Sequence, residues 1–287
     1  MNRRAYQAGF FYPAHKEECI HALKECIPDK SSIPNLDEPV VAGIVPHAGW
    51  TFSGPTAGKV YQAIASVEKP DTFILFGAVH VWGVDKASLW KEGKWDSPLG
   101  SIEIDQDLAQ SLLDAGSAYI EANTSAHLQE HSLEVQIPFI QYLFPEAKIV
   151  PIMVPPFPGA SQIGEYAANI SVRSSKKIVA IGSTDMTHYG SRFHFNPAGN
   201  GEQALEWVKK ENDKKMIDLI SNLEQDKIIQ EAMNHHNACG AGAIASTIAF
   251  AKARHRKSGK LLEYTTSWDV HPEKKIDTFV GYAGFIF

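Results

Sequence analysis

The stretch Val41-Ala-Gly-Ile-Val-Pro46-His47-Ala-Gly-Trp50-Thr-Phe-Ser-Gly54 decides how the chain is read. An apolar run of β-formers ends at Pro46, and the turn then presents one imidazole, His47, just past the strand. Two other stretches repeat the arrangement. Thr72-Phe-Ile-Leu-Phe-Gly77 is followed by Ala78-Val-His80, and Lys177-Ile-Val-Ala-Ile-Gly182 by Ser183-Thr-Asp185-Met-Thr-His188. Short continuous apolar runs bounded by turn signals read as fully buried strands. In open α/β sheets ligands collect at the carboxyl ends of such strands. Three strands each delivering a histidine at that end point to a common crevice.

Outward from these strands, helical patterns alternate with further strands. Helices are expected over 15–27, with Cys19, Ile20, Leu23 and Cys26 on one face, over 55–66, opening near Gly54-Pro55, and over 106–115, capped by Asp105 and ended by Gly116. The segment 127–143 reads as a helix with an apolar stripe of Leu133, Ile137, Ile140 and Leu143, broken or kinked at Pro138. Lys148–Val154 is another buried strand and 160–172 a helix. Two charged amphipathic helices over 200–233 split near Ser221. A small-residue helix follows Cys239-Gly240 through about Ala253. Ala87–Trp90, Leu261–Trp268 and Thr278–Phe287 read as strands, and Gly93–Gly100 as a turn-rich loop. The alternation predicts one α/β domain over residues 1–287, with a mostly parallel or mixed central sheet and flanking helices.

Composition narrows the function classes. The 287 residues are 44% apolar and 21% charged, ordinary globular values that supply a sizeable core. A net charge of −6 without a basic stripe argues against nucleic acid as the main partner. No run of about 18 apolar residues occurs, so no membrane span is expected, and the N-terminal charges have no apolar stretch of a signal peptide behind them. Three cysteines, Cys19, Cys26 and Cys239, form no disulfide framework and fit a reducing cytoplasm.

The candidate chemistry lies in His47, His80 and Cys239. Two imidazoles and a thiol are a donor set for a soft or borderline metal, and three converging ligands with one position open is a catalytic arrangement. Cys239 precedes a helix, where amide N–H groups favour thiolate. On spacing alone the three read either as ligands or as unrelated polar loop residues. Asp185 stands three residues before His188, a pair that on a helical turn shares a face. It reads as an orienting carboxylate with a general acid or base, or as a capping Asp beside a surface His. Glu130 either caps a helix or, with His131, reaches the site. Tyr12 and Trp50 either wall a pocket or pack. Tyr12, Trp50, Glu130 and His131 are the candidate substrate-contacting residues.

Taken together, Ala8-Gly-Phe-Phe-Tyr-Pro13, Pro46–Gly54, Phe76-Gly-Ala-Val-His80, Ser97-Pro-Leu-Gly100, Glu130-His-Ser-Leu-Glu134, Ser183–Gly190 and Cys239-Gly-Ala-Gly242 resemble the Memo family, relatives of the mediator of cell motility. In prokaryotes the family is labelled protein B of the AmmeMemoRadiSam system. The motifs run in family order along nearly the whole chain. The resemblance implies a fold similar to class III extradiol dioxygenases. It makes His47, His80 and Cys239 the metal ligands, with iron or copper as cofactor, and Asp185 and His188 pocket residues. It also implies radical-SAM neighbours. Gly77-Ala-Val-His80 departs from the family's Gly-Pro-Ser/Asn-His. Phe10-Phe-Tyr12 departs from the animal member's Ser-Trp-Tyr, so phosphotyrosine-peptide binding is not carried over. A thiolate stands where extradiol enzymes carry a carboxylate. The reading is therefore a cytoplasmic metal-binding redox protein, an oxidoreductase acting on O2 or a small substrate. Its rival is a non-catalytic module that binds a peptide or protein in the same pocket. Structural zinc would require a fourth ligand, for which His188 is the candidate.

Overall fold

The computed structural model describes residues 2–36 and 38–287. The chain opens with β1 (Asn2–Arg3), an arm, and α1 (Lys16–Cys26), then β2 (Ala42–Val45), α2 (Trp50–Val67) and β3 (Thr72–Gly77). Next come β4 (Ala87–Leu89), β5 (Lys94–Ser97), β6 (Gly100–Glu103), α3 (Gln106–Ala115) and β7 (Ile120–Ala122). α4 (Ile137–Leu143), β8 (Lys148–Met153), α5 (Ala160–Arg173), β9 (Ile178–Ser183) and β10 (His188–Gly190) follow. The remainder is α6 (Glu202–Trp207), α7 (Asp213–Ser221), α8 (Gln225–His235), α9 (Ala241–Ala253), β11 (Lys260–Thr266), α10 (Ser267–Val270) and β12 (Thr278–Ile286).

The main sheet is mixed, in the order β10-β12-β2-β9-β3-β8-β4-β7, with β11 on the other edge of β12. Its centre is four parallel strands, β2, β9, β3 and β8. Their side chains are almost all buried, which is why they appear as unbroken apolar runs: a parallel sheet is covered on both faces. Register shows what covers it. Gly43 pairs with Ile181, and a Cβ there would point at Val60 of α2; Gly182 pairs with Ile44 and faces Thr247 of α9. α2 and α9 therefore lie on opposite faces. α9 is enclosed in turn by α5, which leaves Ala241 through Ala251 buried and explains its small-residue composition. Cys19 and Cys26 sit in the core, where burial pushes both thiols up to about 12.

Several boundaries differ from expectation. α2 begins at Trp50, so Pro55 lies inside the helix and not at its start. The expected helix over 127–143 does not form. Residues 128–133 are irregular, a 3-10 turn covers Glu134–Gln136, and only α4 is helical, with Pro138 in its first turn. The apolar stripe is real, but loop and helix share it. The loop expected over Gly93–Gly100 holds β5 and the turn into β6; these form a hairpin that pairs with β1 in a separate three-stranded sheet. The charged segment after Gly201 runs through a π-helical turn at Val208–Asn212 before it breaks beyond Ser221. β11 stops at Thr266, which caps α10 reciprocally with Asp269. No helix among the described residues is long and apolar enough to cross a membrane.

Candidate metal centre

The parallel strands β2, β9 and β3 are neighbours, so the residues past their carboxyl ends meet. The His47 backbone N–H donates to Asp185 Oδ1 at 2.7 Å, and its Nδ1 lies 2.9 Å from Ser183 Oγ. The Ser183 hydroxyl spends its proton on the Ser132 carbonyl, at 2.7 Å, so it accepts from His47 Nδ1–H. Nε2 of His47 is thereby aimed at Cys239 Sγ, 3.2 Å away.

His80 repeats this design with a carboxylate. Its backbone N–H donates to Glu130 Oε2 at 2.7 Å, and its Nδ1 lies 3.2 Å from Glu130 Oε1. In each ring a second group claims Nδ1 and leaves Nε2 toward the cluster, which is how metal-ligating histidines are held. His131 joins them: its ring stacks on His80 with centroids 4.5 Å apart and meets His47 edge-on at 5.3 Å. Nitrogen atoms of His47, His80 and His131 all lie within 4.8 Å of one another, close enough to hold one metal ion.

Cys239 arrives from the other direction, directly before the amino end of α9. Its amide donates to the Asp185 carbonyl, and its sulfur accepts from the Asp185 N–H at 3.2 Å. Burial alone would raise this thiol, but the His47 charge and hydrogen bond, with His80, outweigh it and bring Cys239 down to about 5. Burial disfavours a charged His80, yet its bonds to Cys239 and Glu130 raise it to about 10. His47 is likewise raised against burial by Cys239 and Asp185. Glu130 is held well below the usual carboxylate range despite burial, chiefly by His80. His131 goes the other way, down to about 3, through burial and then the neighbouring His47 and His80. The shifts favour the charged forms of Cys239, Glu130, His47 and His80 and the neutral form of His131.

The remaining candidates are placed differently. Asp185 and His188 do not share a helical turn: residues 184–187 are irregular, and His188 opens β10 with Nε2 4.0 Å from Asp185 Oδ2. The closer partner of the Asp185 carboxylate is the His47 backbone. His188 instead shares with Cys239, His194 and His236 the lining of a cavity of about 350 Å³. The residue that stands with His47 and His80 as a possible metal donor is His131, not His188. Tyr12 and Trp50 are buried and stacked on each other at 5.1 Å; Tyr12 donates to Glu134 and Trp50 Nε1 to the Val135 carbonyl. They support the loop beneath the cluster, and the arm residue against it is Phe11, 4.8 Å from His131. Glu130 reaches the site as a buried partner of two histidines and not as a helix cap. Spacing alone did not show this, because Glu130 and His131 sit in the irregular segment.

The same loop carries His127, fully buried with Nε2 2.8 Å from the Ser88 carbonyl. Burial lowers it to about 4. Between that value and the ordinary ~6.5 the unfolded chain binds a proton that the folded one refuses, so stability falls as pH drops through this window. The total is about 3 kcal/mol. Urea unfolding at pH 7.5 and 4.5 is expected to show a smaller acid loss in His127→Gln than in the parent. Equal losses would mean that His127 does not titrate on unfolding.

An α/β protein with an imidazole–thiol cluster at the carboxyl ends of parallel strands is the class that fold and site define. The Memo-like protein family profile matches residues 3–286, and the chain belongs to that family. MEMO1 family proteins of Pyrococcus furiosus and Thermococcus kodakarensis are each 34% identical over 294 residues, covering 100% of this chain and 99% of theirs. That of Methanopyrus kandleri is 33% identical over 298 residues, with the same coverage. Among solved structures, an uncharacterized Escherichia coli K12 protein superposes with a TM-score of 0.55 at 12% identity, over 86% of this chain and 100% of its own. That likeness concerns the fold alone.

Proposed function

We propose that the cluster holds a redox-active transition metal, iron or copper, and that the protein is a metal-dependent oxidoreductase acting on dioxygen or a small substrate. The observation that carries this reading is that His47 and His80 each commit Nδ1 to a fixed partner, with His47 Nε2 turned to Cys239 and the His80 ring beside His47 and His131. Imidazole and thiolate donors suit iron and copper, and hard cations such as magnesium do not favour them. His47, His80 and Cys239 are the assigned ligands. A bound metal of this kind supplies one-electron chemistry and Lewis acidity. Around it, Ser183 and Glu130 hold the two rings, and Asp185 holds the His47 backbone. His188, one-third exposed and lining a cavity with Cys239, would carry protons between the site and solvent.

Zinc is the competing occupant, and His131 separates the two. A structural zinc site closes with four protein ligands, whereas a catalytic site keeps a position open. The test is metal content by mass spectrometry on protein purified without oxygen. About one equivalent of iron or copper per chain is expected, lost in His47→Ala and in Cys239→Ser but retained in His131→Ala. Zinc lost in all three variants would replace the redox reading with a structural one. Absence of any metal after reconstitution would move the function to ligand binding without turnover.

A further inference from the structure

The amino-terminal arm enters the site through two buried charges outside the metal cluster. Arg3 and Glu134 are each 1% exposed and paired at 2.7 Å. The Arg3 guanidinium lies 4.4 Å over the Trp95 ring, donates Nε to the His127 carbonyl at 2.7 Å, and donates Nη2 to the Glu130 carbonyl at 2.7 Å. The Glu134 carboxylate accepts the backbone N–H groups of Tyr6 and Gln7, at 3.0 and 2.6 Å, and the Tyr12 hydroxyl at 2.9 Å. The pair thus clamps the arm to the loop 127–134 from both sides.

We infer that Arg3 and Glu134 are positioning residues for the metal centre: they fix the loop that presents Glu130 and His131. Arg3 holds the main chain of Glu130, and the carboxylate of Glu130 holds the amides of His80 and Ser132. Phe11, carried by the same arm, packs on the His131 ring, and its carbonyl accepts the Trp50 amide at the start of α2. A buried ion pair is a poor device for stability alone, because apolar residues of similar volume fold as well or better. Here two Arg3 donors are aimed at main-chain carbonyls of the loop, those of His127 and Glu130, and Glu130 is the residue that holds His80. The 128–133 loop lacks regular helical bonding, so this external bracing is what gives it one geometry.

The inference builds on the metal reading, and the experiment separates the two. Amide hydrogen exchange is followed in metal-free protein, and Co²⁺ affinity and absorption are measured on the same samples. In Glu134→Gln, the amides of His80 and Ser132 are expected to exchange at least ~10-fold faster relative to core amides of β3. Co²⁺ affinity is expected to fall about tenfold, with an altered absorption band, as for loss of an outer-shell partner. Tyr12→Phe keeps the ring stacked on Trp50 and removes one bond to Glu134; a change of roughly threefold in the same direction is expected, and this milder variant serves if Glu134→Gln does not fold. Leu112→Ala, a core change in α3, is the control for general destabilisation and should leave the relative exchange and the absorption band unchanged. Unchanged exchange at His80 and Ser132 in both arm variants overturns the inference, whatever the metal. Faster exchange with a parent that binds no Co²⁺ upholds the positioning role and discards the metal reading.

Discussion

Glu130→Gln is expected to weaken metal binding by about 10- to 100-fold while the protein stays folded, the usual effect of removing an outer-shell partner. The carboxylate makes four claims at once: the amides of His80 and Ser132, at 2.7 Å each, the His80 Nδ1 at 3.2 Å, and proximity to His131 Nδ1 at 3.5 Å. The two amides are fixed donors, and the His80 Nδ1 faces the carboxylate as a third. A glutamine retains one acceptor oxygen and turns an NH2 group toward the others, so at least one donor faces a donor. The amides are fixed by the main chain; the His80 ring is the freer group and gives way. It then loses the partner that holds its proton on Nδ1 and its Nε2 toward the cluster. Leaving a buried donor unsatisfied costs about 1–3 kcal/mol, which a chain of this size withstands. Anaerobic Co²⁺ titration beside urea unfolding checks both halves. An affinity within twofold of the parent would remove Glu130 from the support of the site.

Gly164→Ala is expected to destabilise the protein by about 1–2 kcal/mol net, against the direction of helix propensity. Alanine in a helix interior ordinarily gains about 1 kcal/mol over glycine. At this position of α5 a Cβ would lie 2.0 Å from the Ser246 carbonyl oxygen and 2.8 Å from its carbonyl carbon. The obstacle is the backbone of α9, so no side-chain rotation relieves it and the helices must separate; overpacking of this kind costs about 1–3 kcal/mol and sometimes more. α9 also lies against β2, β9 and β3 and begins directly after Cys239. Relief by moving α9 would shift the thiol relative to His47. Urea midpoints, read with the reactivity of Cys239 toward a thiol reagent, test this. A variant as stable as the parent would contradict the close helix contact.

Much of the architecture was legible in the sequence for one physical reason. Strands buried on both faces are continuously apolar, so β2, β3, β8 and β9 announced themselves, as did the residues just beyond their ends. That is why His47, His80 and His188 stood out together, whereas Cys239, which precedes a helix, joined them through its residue type and the family resemblance. What stayed hidden depends on bonds between distant segments. The helix expected over 127–143 followed a genuine apolar spacing, but Arg3 and Glu130 satisfy backbone groups in 127–132 that a helix would have satisfied by itself. His131 was therefore read as a contact residue and not as a potential ligand. Tyr12 and Trp50 looked like pocket walls because aromatic residues near a histidine suggest one, and only the bonds to Glu134 and Val135 reveal them as supports. The short strands β1, β5 and β6 carry little burial alternation of their own and exist because they pair.

The place of β12 in the sheet has a consequence for the newborn chain. β2 ends at Val45, yet the edge it turns to β12 waits for residues after Thr278. At the ribosome's pace of about 5–20 residues per second, that edge stays open for roughly ten to fifty seconds. Through that interval the apolar strand β2 presents unpaired N–H and C=O groups on that edge, the usual seed of misassociation. Soluble yield is therefore expected to rise with holdase abundance, and an unchanged yield would show that the open edge is harmless.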